Sequence, residues 1–169
     1  MRKYLWTLFA ISLLAGASCQ EKQAPKQYFE QSPEIDIAKK SVDAYLKQDW
    51  VTYKSLYSDT ARIWYNAYWQ TNPGLGIDQA IEGMKPTLAS LVYYRYEGEI
   101  WEMIVNNNGD KWVHFWGNWL GKLTADGEEV KIVLHIAYGV VGDKIVYESG
   151  IWDNLPFYLE QQRLETESN

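Results

Sequence analysis

The stretch KWVHFWGNWLGKL, residues 111–123, decides how this sequence is interpreted. Apolar and polar side chains alternate along it, and this period of two is typical of a β-strand. Stretches with the same period surround it, near Tyr93–Val105, Val130–Val141 and Lys144–Trp152. The segments NNNGD, TADGEE and VGDK separate them, and their Asn, Asp and Gly residues are typical of hairpin turns. The second half of the sequence therefore predicts an antiparallel meander.

The first half of the sequence has helical periodicity instead. Ser32 followed by Pro33 is a typical helix start, because serine caps free backbone N–H groups and proline suits the first turn. A short second helix is predicted after Asp49, ending near Asp59, and a third from about Ile77 to Leu91, which contains an interior proline that would kink or split it. We therefore predict an α+β fold of helices followed by a meander.

The N-terminus has the composition of a secretion signal. Arg2 and Lys3 precede an apolar run over residues 4–18, and Cys19, the only cysteine, follows directly. The segment Gly16-Ala17-Ser18-Cys19 resembles the lipobox of bacterial lipoproteins, in which the cysteine is acylated and becomes the first residue. The resemblance implies a lipid anchor at Cys19 and a location in the cell envelope, on a bacterial membrane that we expect to be the outer one. A plain signal peptide with an incidental cysteine is the alternative.

The chain is predicted to contain one folded domain. Residues 20–31 consist mainly of Gln, Glu, Lys, Ala and Pro without apolar periodicity, which is typical of a tether. The predicted organisation is a signal peptide over residues 1–18, a tether over 19–31, the domain over 32–160 and a C-terminal tail over 161–169.

Composition limits the possible function classes. The chain is 47% hydrophobic and 22% charged, as in ordinary globular domains. Loss of Arg2 and Lys3 with the signal changes the formal net charge from −6 to −8, so nucleic acid is not an expected partner. We find no phosphate loop, no CxxC motif and no Ser/His/Asp arrangement in the sequence, and we expect no cofactor.

The predicted hairpins sort the strand residues onto two faces. Turns centred on Asp126-Gly127 and Gly142-Asp143 pair Asn118 with His135 and Ala137 with Glu148. One face then carries polar and aromatic side chains: His114, Trp116, Asn118, His135, Glu148 and Trp152. The opposite face carries apolar ones: Val113, Phe115, Trp119, Ile132, Leu134, Ile136, Ile145 and Ile151. A bulge would flip either assignment, and the periodicity alone leaves open which face the helices cover.

Two segments resemble the SnoaL-like and ketosteroid-isomerase-like branch of the nuclear transport factor two-like superfamily. They are DWVTYKSLYSDTARIWYN, residues 49–66, and GDKIVYESGIWDN, residues 142–154. The resemblance covers nearly all of Ser32–Asn154. It implies a cone-like domain in which a curved antiparallel sheet wraps around three N-terminal helices and leaves a pocket, with a homodimer as a possible assembly.

The resemblance also implies roles for individual residues. Tyr65 falls where the isomerases hold their catalytic aspartate, so ordinary ketosteroid isomerisation is not expected. Tyr57 matches a tyrosine that supports the site, and His135 falls at the position of the oxyanion-hole carboxylic acid. Glu148 and Trp152 fall at pocket-lining positions. These correspondences imply that the polar face points into the pocket.

His135 and Glu148 are the candidate catalytic pair. On adjacent strands their α-carbons would lie ~7–8 Å apart, and a carboxylate beside an imidazole raises the pKa of the histidine, as proton transfer at neutral pH requires. A structural ion pair is the alternative interpretation. Metal binding is not predicted, because no close ligand spacing supports it. The candidate ligand-binding residues are Tyr57, Tyr65, His114, Trp116, Asn118 and Trp152.

These observations favour a lipid-anchored protein that binds a small, partly apolar or aromatic molecule in a pocket between sheet and helices. Two other hypotheses stay open. One is an acid/base enzyme, such as an isomerase, cyclase or hydratase, that uses His135 and Glu148. The other is a dimerising interaction module with a vestigial pocket.

Overall fold

The computed structural model describes residues 27–167, so Cys19 and the predicted signal peptide lie outside the described residues. The helices are α1 Pro33–Leu46, α2 Trp50–Ser55, α3 Ile77–Ala89 and α4 Leu155–Glu167. The strands are β1 Tyr28–Phe29, β2 Tyr57–Tyr65, β3 Tyr93–Val105, β4 Lys111–Lys122, β5 Glu129–Val141 and β6 Lys144–Trp152. In this range no helix is long and apolar enough to cross a membrane.

All six strands form one sheet in the order β1-β3-β4-β5-β6-β2. Strands β3 to β6 form the predicted antiparallel meander, and β1 pairs antiparallel with β3. Strand β2 is the exception, because it lies parallel to β6 at the other edge. The prediction of an α+β fold with helices packed on a mostly antiparallel sheet is confirmed.

The predicted helix starts are also confirmed. The Ser32 hydroxyl oxygen accepts a hydrogen bond from the backbone N–H of Ile35 at 3.2 Å, and Pro33 begins α1. The Asp49 carboxylate accepts one from the backbone N–H of Thr52 at 3.0 Å and so caps α2. Pro86 lies inside α3, which continues to Ala89.

The ends of the domain differ from the prediction. Strand β1 lies in the predicted tether, where Tyr28 and Phe29 pair with Ile104 and Met103. Helix α4 continues past residue 160 into the predicted tail. Asp59 does not end α2, because the chain enters β2 at Tyr57. Each difference involves a segment that packs or pairs with residues far away in the sequence, and local periodicity does not predict such contacts.

The helices pack on the apolar face of the sheet. Val113, Phe115 and Trp119 of β4 are buried there, and so are Ile132, Leu134 and Ile136 of β5. Ile35, Ala38 and Val42 of α1 and Ile77, Ala80 and Ile81 of α3 belong to the same buried cluster. The interior therefore lies between this face and the helices, which resolves the question that periodicity left open.

The β4–β5 pairing differs from the predicted register by two residues. Lys122 pairs with Glu129, so the connection is longer than a two-residue turn, and Trp116 rather than Asn118 lies opposite His135. A shift of two keeps every side chain on its predicted face, since the side-chain period of a strand is two.

A β-bulge changes the faces of β6. Val141 pairs with Lys144 and Val140 with Ile145, as predicted, but Gly139 pairs with Tyr147, which leaves Val146 as an extra residue. Beyond the bulge every side chain of β6 points to the face opposite to the predicted one. Glu148 and Trp152 therefore face the helices.

Candidate functional site

A cavity of about 500 Å³ lies between the apolar face of the sheet and helices α1, α3 and α4. Exposed lining residues, among them Leu75, Thr87 and Tyr158, mark where it meets solvent, between α3 and α4. Deeper positions are mainly aliphatic and aromatic and include Val42, Tyr45, Tyr53, Tyr96, Trp119, Ile132, Leu134, Ile136 and Tyr138. The cavity is large enough for a small organic molecule with an apolar body.

Glu148 is the one carboxylate among these lining residues, and only 2% of it is exposed to solvent. The hydroxyl of Tyr65 donates a hydrogen bond to Oε1 of Glu148 at 2.9 Å. The hydroxyl of Tyr57 donates to Oε2, and that of Tyr53 lies 3.4 Å from the same oxygen. Three tyrosine hydroxyls thus surround one buried carboxyl group.

Burial raises the pKa of Glu148 above its ordinary value, although the hydrogen bonds from Tyr57, Tyr65 and Tyr53 act to lower it. The pKa values of these three tyrosines lie well above their usual range, because they are buried and because Glu148 carries negative charge. The tyrosines therefore remain protonated donors, while the carboxyl group titrates closer to neutral pH than an exposed glutamate.

Trp152 and Tyr65 form an aromatic wall beside the carboxyl group. Their ring centroids lie 5.3 Å apart, and the indole N–H of Trp152 donates to Oδ1 of Asn154 at 2.7 Å. Gly150 makes this arrangement possible, since a Cβ there would lie 2.4 Å from Cζ3 of Trp152. Glycine is required here for close approach of the ring to the backbone.

The predicted pairing of His135 with Glu148 is wrong. The bulge at Val146 moves Glu148 to the inner face, whereas His135 stays on the outer one, opposite Trp116 and Ile151. The imidazole and the carboxyl group therefore lie on opposite faces of the sheet and cannot form a pair.

The prediction that His114, Trp116 and Asn118 face the pocket is also wrong, because the helices cover the opposite, apolar face of β4. All three lie on the outer face, where Trp116 and Asn118 are exposed and His114 is half-buried. Of the predicted ligand-binding residues, Tyr65 and Trp152 line the cavity, and Tyr57 lies behind Glu148 as its hydrogen-bond donor. Whether these residues bind a ligand remains a prediction.

The two histidines contact each other on the outer face. Nδ1 of His114 lies 2.9 Å from Nε2 of His135, and the ring of His135 stacks on Trp116 at 4.0 Å. Burial lowers the pKa of both histidines, and the charge of His114 lowers that of His135 further. Within residues 27–167 no group of three or more His, Cys, Asp or Glu side chains is arranged to hold a metal ion.

Sequence analysis missed several residues of the cavity. Tyr53 was not among the predicted site residues, although it contacts Glu148 from α2. Tyr138 lies directly opposite Glu148 on β5, and this pairing depends on the bulge in β6. Phe157 and Tyr158 of α4 also line the cavity, Tyr158 at its opening to solvent, and they lie in a segment that was not predicted to be helical.

No protein-family description matches the chain, and no curated protein matches it by sequence. Solved structures do match it. TerC, co-crystallised with polyporic acid, is 16% identical, with a TM-score of 0.59, over 78% of this chain and 99% of TerC. A candidate SnoaL-like polyketide cyclase from Shewanella putrefaciens CN-32 is 14% identical, with a TM-score of 0.58, over 79% of this chain and 99% of that one.

An NTF2-like protein of unknown function from Burkholderia pseudomallei K96243 is 12% identical, with a TM-score of 0.59, over 77% of this chain and 98% of that one. At these identities the likeness shows the fold, which is the cone-like arrangement of the NTF2-like proteins.

Proposed function

We propose that this protein binds a small, partly apolar molecule in the cavity between sheet and helices, with a polar group of the ligand placed at Glu148. The observation that carries the proposal is a buried carboxyl group held by Tyr53, Tyr57 and Tyr65 at the wall of an otherwise mainly apolar cavity. A large apolar surface with a few convergent polar groups is the usual form of a ligand site.

The fold neighbours support this proposal at a coarse level. One of them, TerC, was crystallised with polyporic acid, and another is a candidate polyketide cyclase. Their folds suggest either ligand binding or chemistry of the isomerase and cyclase kind for a cavity in this position.

Binding can be tested with 2-naphthalenemethanol as a neutral aromatic probe and isothermal titration calorimetry. The protein used is residues 20–169, which contain every described element of the fold. Gly83 lies in α3 at the cavity, and a Cβ there would meet nothing within 4 Å. We expect Gly83→Trp to block the cavity and lower affinity at least about tenfold, while Gly83→Ala leaves it unchanged. Equal affinity of both variants for the probe would argue against the cavity as the site.

A second candidate function is acid/base catalysis with Glu148 as the proton acceptor. The raised pKa of Glu148 favours it, since a general base is most effective when its pKa lies near the working pH. Deuterium exchange at the α-carbon of 2-tetralone in D2O, followed by NMR, tests this candidate. Exchange no faster than in Glu148→Gln would exclude this function for the probe.

We also propose that the protein is exported and anchored through an acylated Cys19, on the support of the N-terminal sequence alone. Three acyl chains would hold the protein on a membrane stably, whereas one chain would not. Cys19→Ser should release the protein from the membrane fraction or block its maturation. The anchor would be refuted if the Cys19→Ser variant still appeared in the membrane fraction and the wild type incorporated no labelled fatty acid.

A further inference from the structure

The charges around the cavity indicate which ligands it can take, given the proposed ligand-binding function. Among residues 27–167 three glutamates are buried: Glu34, Glu148 and Glu160. Glu34 contacts Lys111, and Glu160 lies 2.7 Å from the guanidinium of Arg163. Glu148 differs from both, because its hydrogen-bond partners are the uncharged tyrosines. Within the described part of the chain, no Lys, Arg or His lines the cavity.

The hydrogen bonds around Glu148 suit a carboxylate anion. A protonated carboxyl group must donate its own proton, whereas an ionised one only accepts. Tyr65 donates to Oε1 and Tyr57 to Oε2, and these phenols remain protonated. The shell thus supplies donors for an anion but no positive charge to compensate it, and a buried uncompensated charge is unfavourable.

Aromatic rings complete the surroundings of this carboxylate. Tyr53, Tyr65 and Trp152 line the cavity near Glu148, and Tyr45, Tyr96 and Trp119 line the same cavity from α1, β3 and β4. The face of an aromatic ring attracts cations, and the attraction is stronger when water is excluded. A carboxylate among such rings is complementary to an organic cation.

We infer that the ligand carries an ammonium group, which binds between Glu148 and the surrounding aromatic rings, on an apolar body that fills the rest of the cavity. The cation supplies the charge that Glu148 lacks. An anionic ligand is excluded by the same reasoning, since its charge would face a carboxylate and no basic side chain. A neutral ligand supplies no such charge, so it would bind beside a protonated Glu148 or leave an ionised one uncompensated.

Binding of a cation should be linked to proton release. Because burial raises the pKa of Glu148 above its ordinary value of 4.5, part of the free protein still has a protonated Glu148 at pH values above 4.5. A bound ammonium group favours the ionised form, so binding releases this proton. Affinity should therefore increase with pH through the raised pKa. The other titratable groups that face Glu148 are phenols, which stay protonated in this range: Tyr53 of α2, Tyr57 and Tyr65 of β2, Tyr96 of β3 and Tyr138 of β5.

Three probes with one aromatic body test the inference on residues 20–169. They are 2-naphthylmethylamine, 2-naphthalenemethanol and 2-naphthoate, which carry an ammonium, a hydroxyl and a carboxylate group. We expect the ammonium probe to bind about tenfold or more tightly than the alcohol, and 2-naphthoate to bind most weakly. Calorimetry in two buffers of different ionisation enthalpy should show proton release for the ammonium probe and none for the alcohol.

Matched variants separate the local charge from the overall acidity of the protein. Glu148→Gln should abolish the preference for the ammonium probe, and Glu34→Gln, which removes a buried carboxylate outside the cavity, should keep it. If the alcohol binds as tightly as the ammonium probe to the wild type, the cation inference is wrong while ligand binding stands. If none of the probes binds, the proposed function itself fails for this ligand class. The wild-type comparison needs no variant to fold.

Discussion

At the scale of single residues, Glu148 is defined by an excess of hydrogen-bond donors and a lack of positive charge. Its carboxyl group is satisfied by Tyr57 and Tyr65, so it does not destabilise the fold as an unpaired polar group would. Its burial still disfavours the ionised form. The free protein therefore holds a carboxylate that is sensitive both to pH and to any charge placed in the cavity.

The raised pKa of Glu148 predicts that its contribution to the stability of the fold decreases as pH rises. The pKa of Glu148 is higher in the folded protein than in the unfolded chain, so its contribution to stability is complete below about pH 4.5 and is lost as pH rises through the folded pKa. Gln at this position does not titrate. The unfolding free energy of Glu148→Gln, relative to wild type, should therefore increase with pH. A tenfold difference in acid dissociation constant corresponds to about 1.4 kcal/mol.

Glu34 gives a control of opposite sign. Burial acts to raise its pKa, but hydrogen bonds, first among them that from Lys111, bring the pKa below its ordinary value. The stability that Glu34 contributes is thus present at neutral pH and lost as pH falls through the folded pKa. Urea unfolding of both variants from pH 4 to pH 8 provides the measurement. Parallel pH profiles for Glu148→Gln and wild type would contradict the buried state assigned to Glu148.

At the scale of elements, strand β4 separates the interior from the solvent by alternation alone. Phe115 and Trp119 are buried against the helices, and their neighbours Trp116 and Asn118 are exposed on the outer face. Removal of a buried aromatic side chain leaves a cavity and lowers the free energy of unfolding, whereas removal of an exposed side chain changes it little.

We therefore expect Trp119→Ala to lower the unfolding free energy by ~3–5 kcal/mol and Asn118→Ala by less than ~0.5 kcal/mol. Trp116→Ala should leave binding of the naphthalene probes unchanged, because Trp116 lies across the sheet from the cavity. Chemical denaturation and calorimetry of the three variants provide the check. Equal losses for Trp119 and Asn118, or weaker probe binding by Trp116→Ala, would mean that the faces of β4 are assigned incorrectly.

The elements also show what the sequence could and could not predict. Alternation and turn residues were sufficient to locate strands β3 to β6 but not to set the register of β4 against β5. Ser32 and Asp49 marked the starts of their helices. The bulge at Val146 has no local signal, since it depends on how β6 pairs with β5 and β2. That single residue moved Glu148 into the cavity and away from His135. The sequence therefore predicted some of the cavity residues, such as Tyr65, Glu148 and Trp152, but not the hydrogen bonds between Glu148 and the tyrosines.

At the scale of the whole molecule, the outer face of the sheet carries a row of exposed, mainly apolar side chains that no helix within residues 27–167 covers. Ile100, Trp116, His135 and Ile151 are direct neighbours across β3, β4, β5 and β6 and form one row, the outer row. Ile100 is 60% exposed and Ile151 65% exposed. Contiguous apolar surface of this kind usually marks an interaction site in a soluble protein.

The homodimer that the sequence resemblance implied remains a proposal, and the outer row is where we place it. A two-fold dimer brings the same patch of both copies together, so the patch must be complementary to itself, and a largely apolar row satisfies this condition. We expect residues 20–169 to show a concentration-dependent mass in sedimentation equilibrium. We expect Ile151→Lys to shift this mass to the monomer, since it would place two charged side chains in an apolar interface. Val51 is 83% exposed on α2, away from the sheet, so Val51→Lys adds the same charge as a control and should leave the mass unchanged. Thermal unfolding of the isolated monomer of Ile151→Lys should remain cooperative, because the side chain packs on nothing inside the domain. A wild-type mass that stays monomeric at all concentrations, or dissociation caused equally by Val51→Lys, would remove the outer row as a dimer interface.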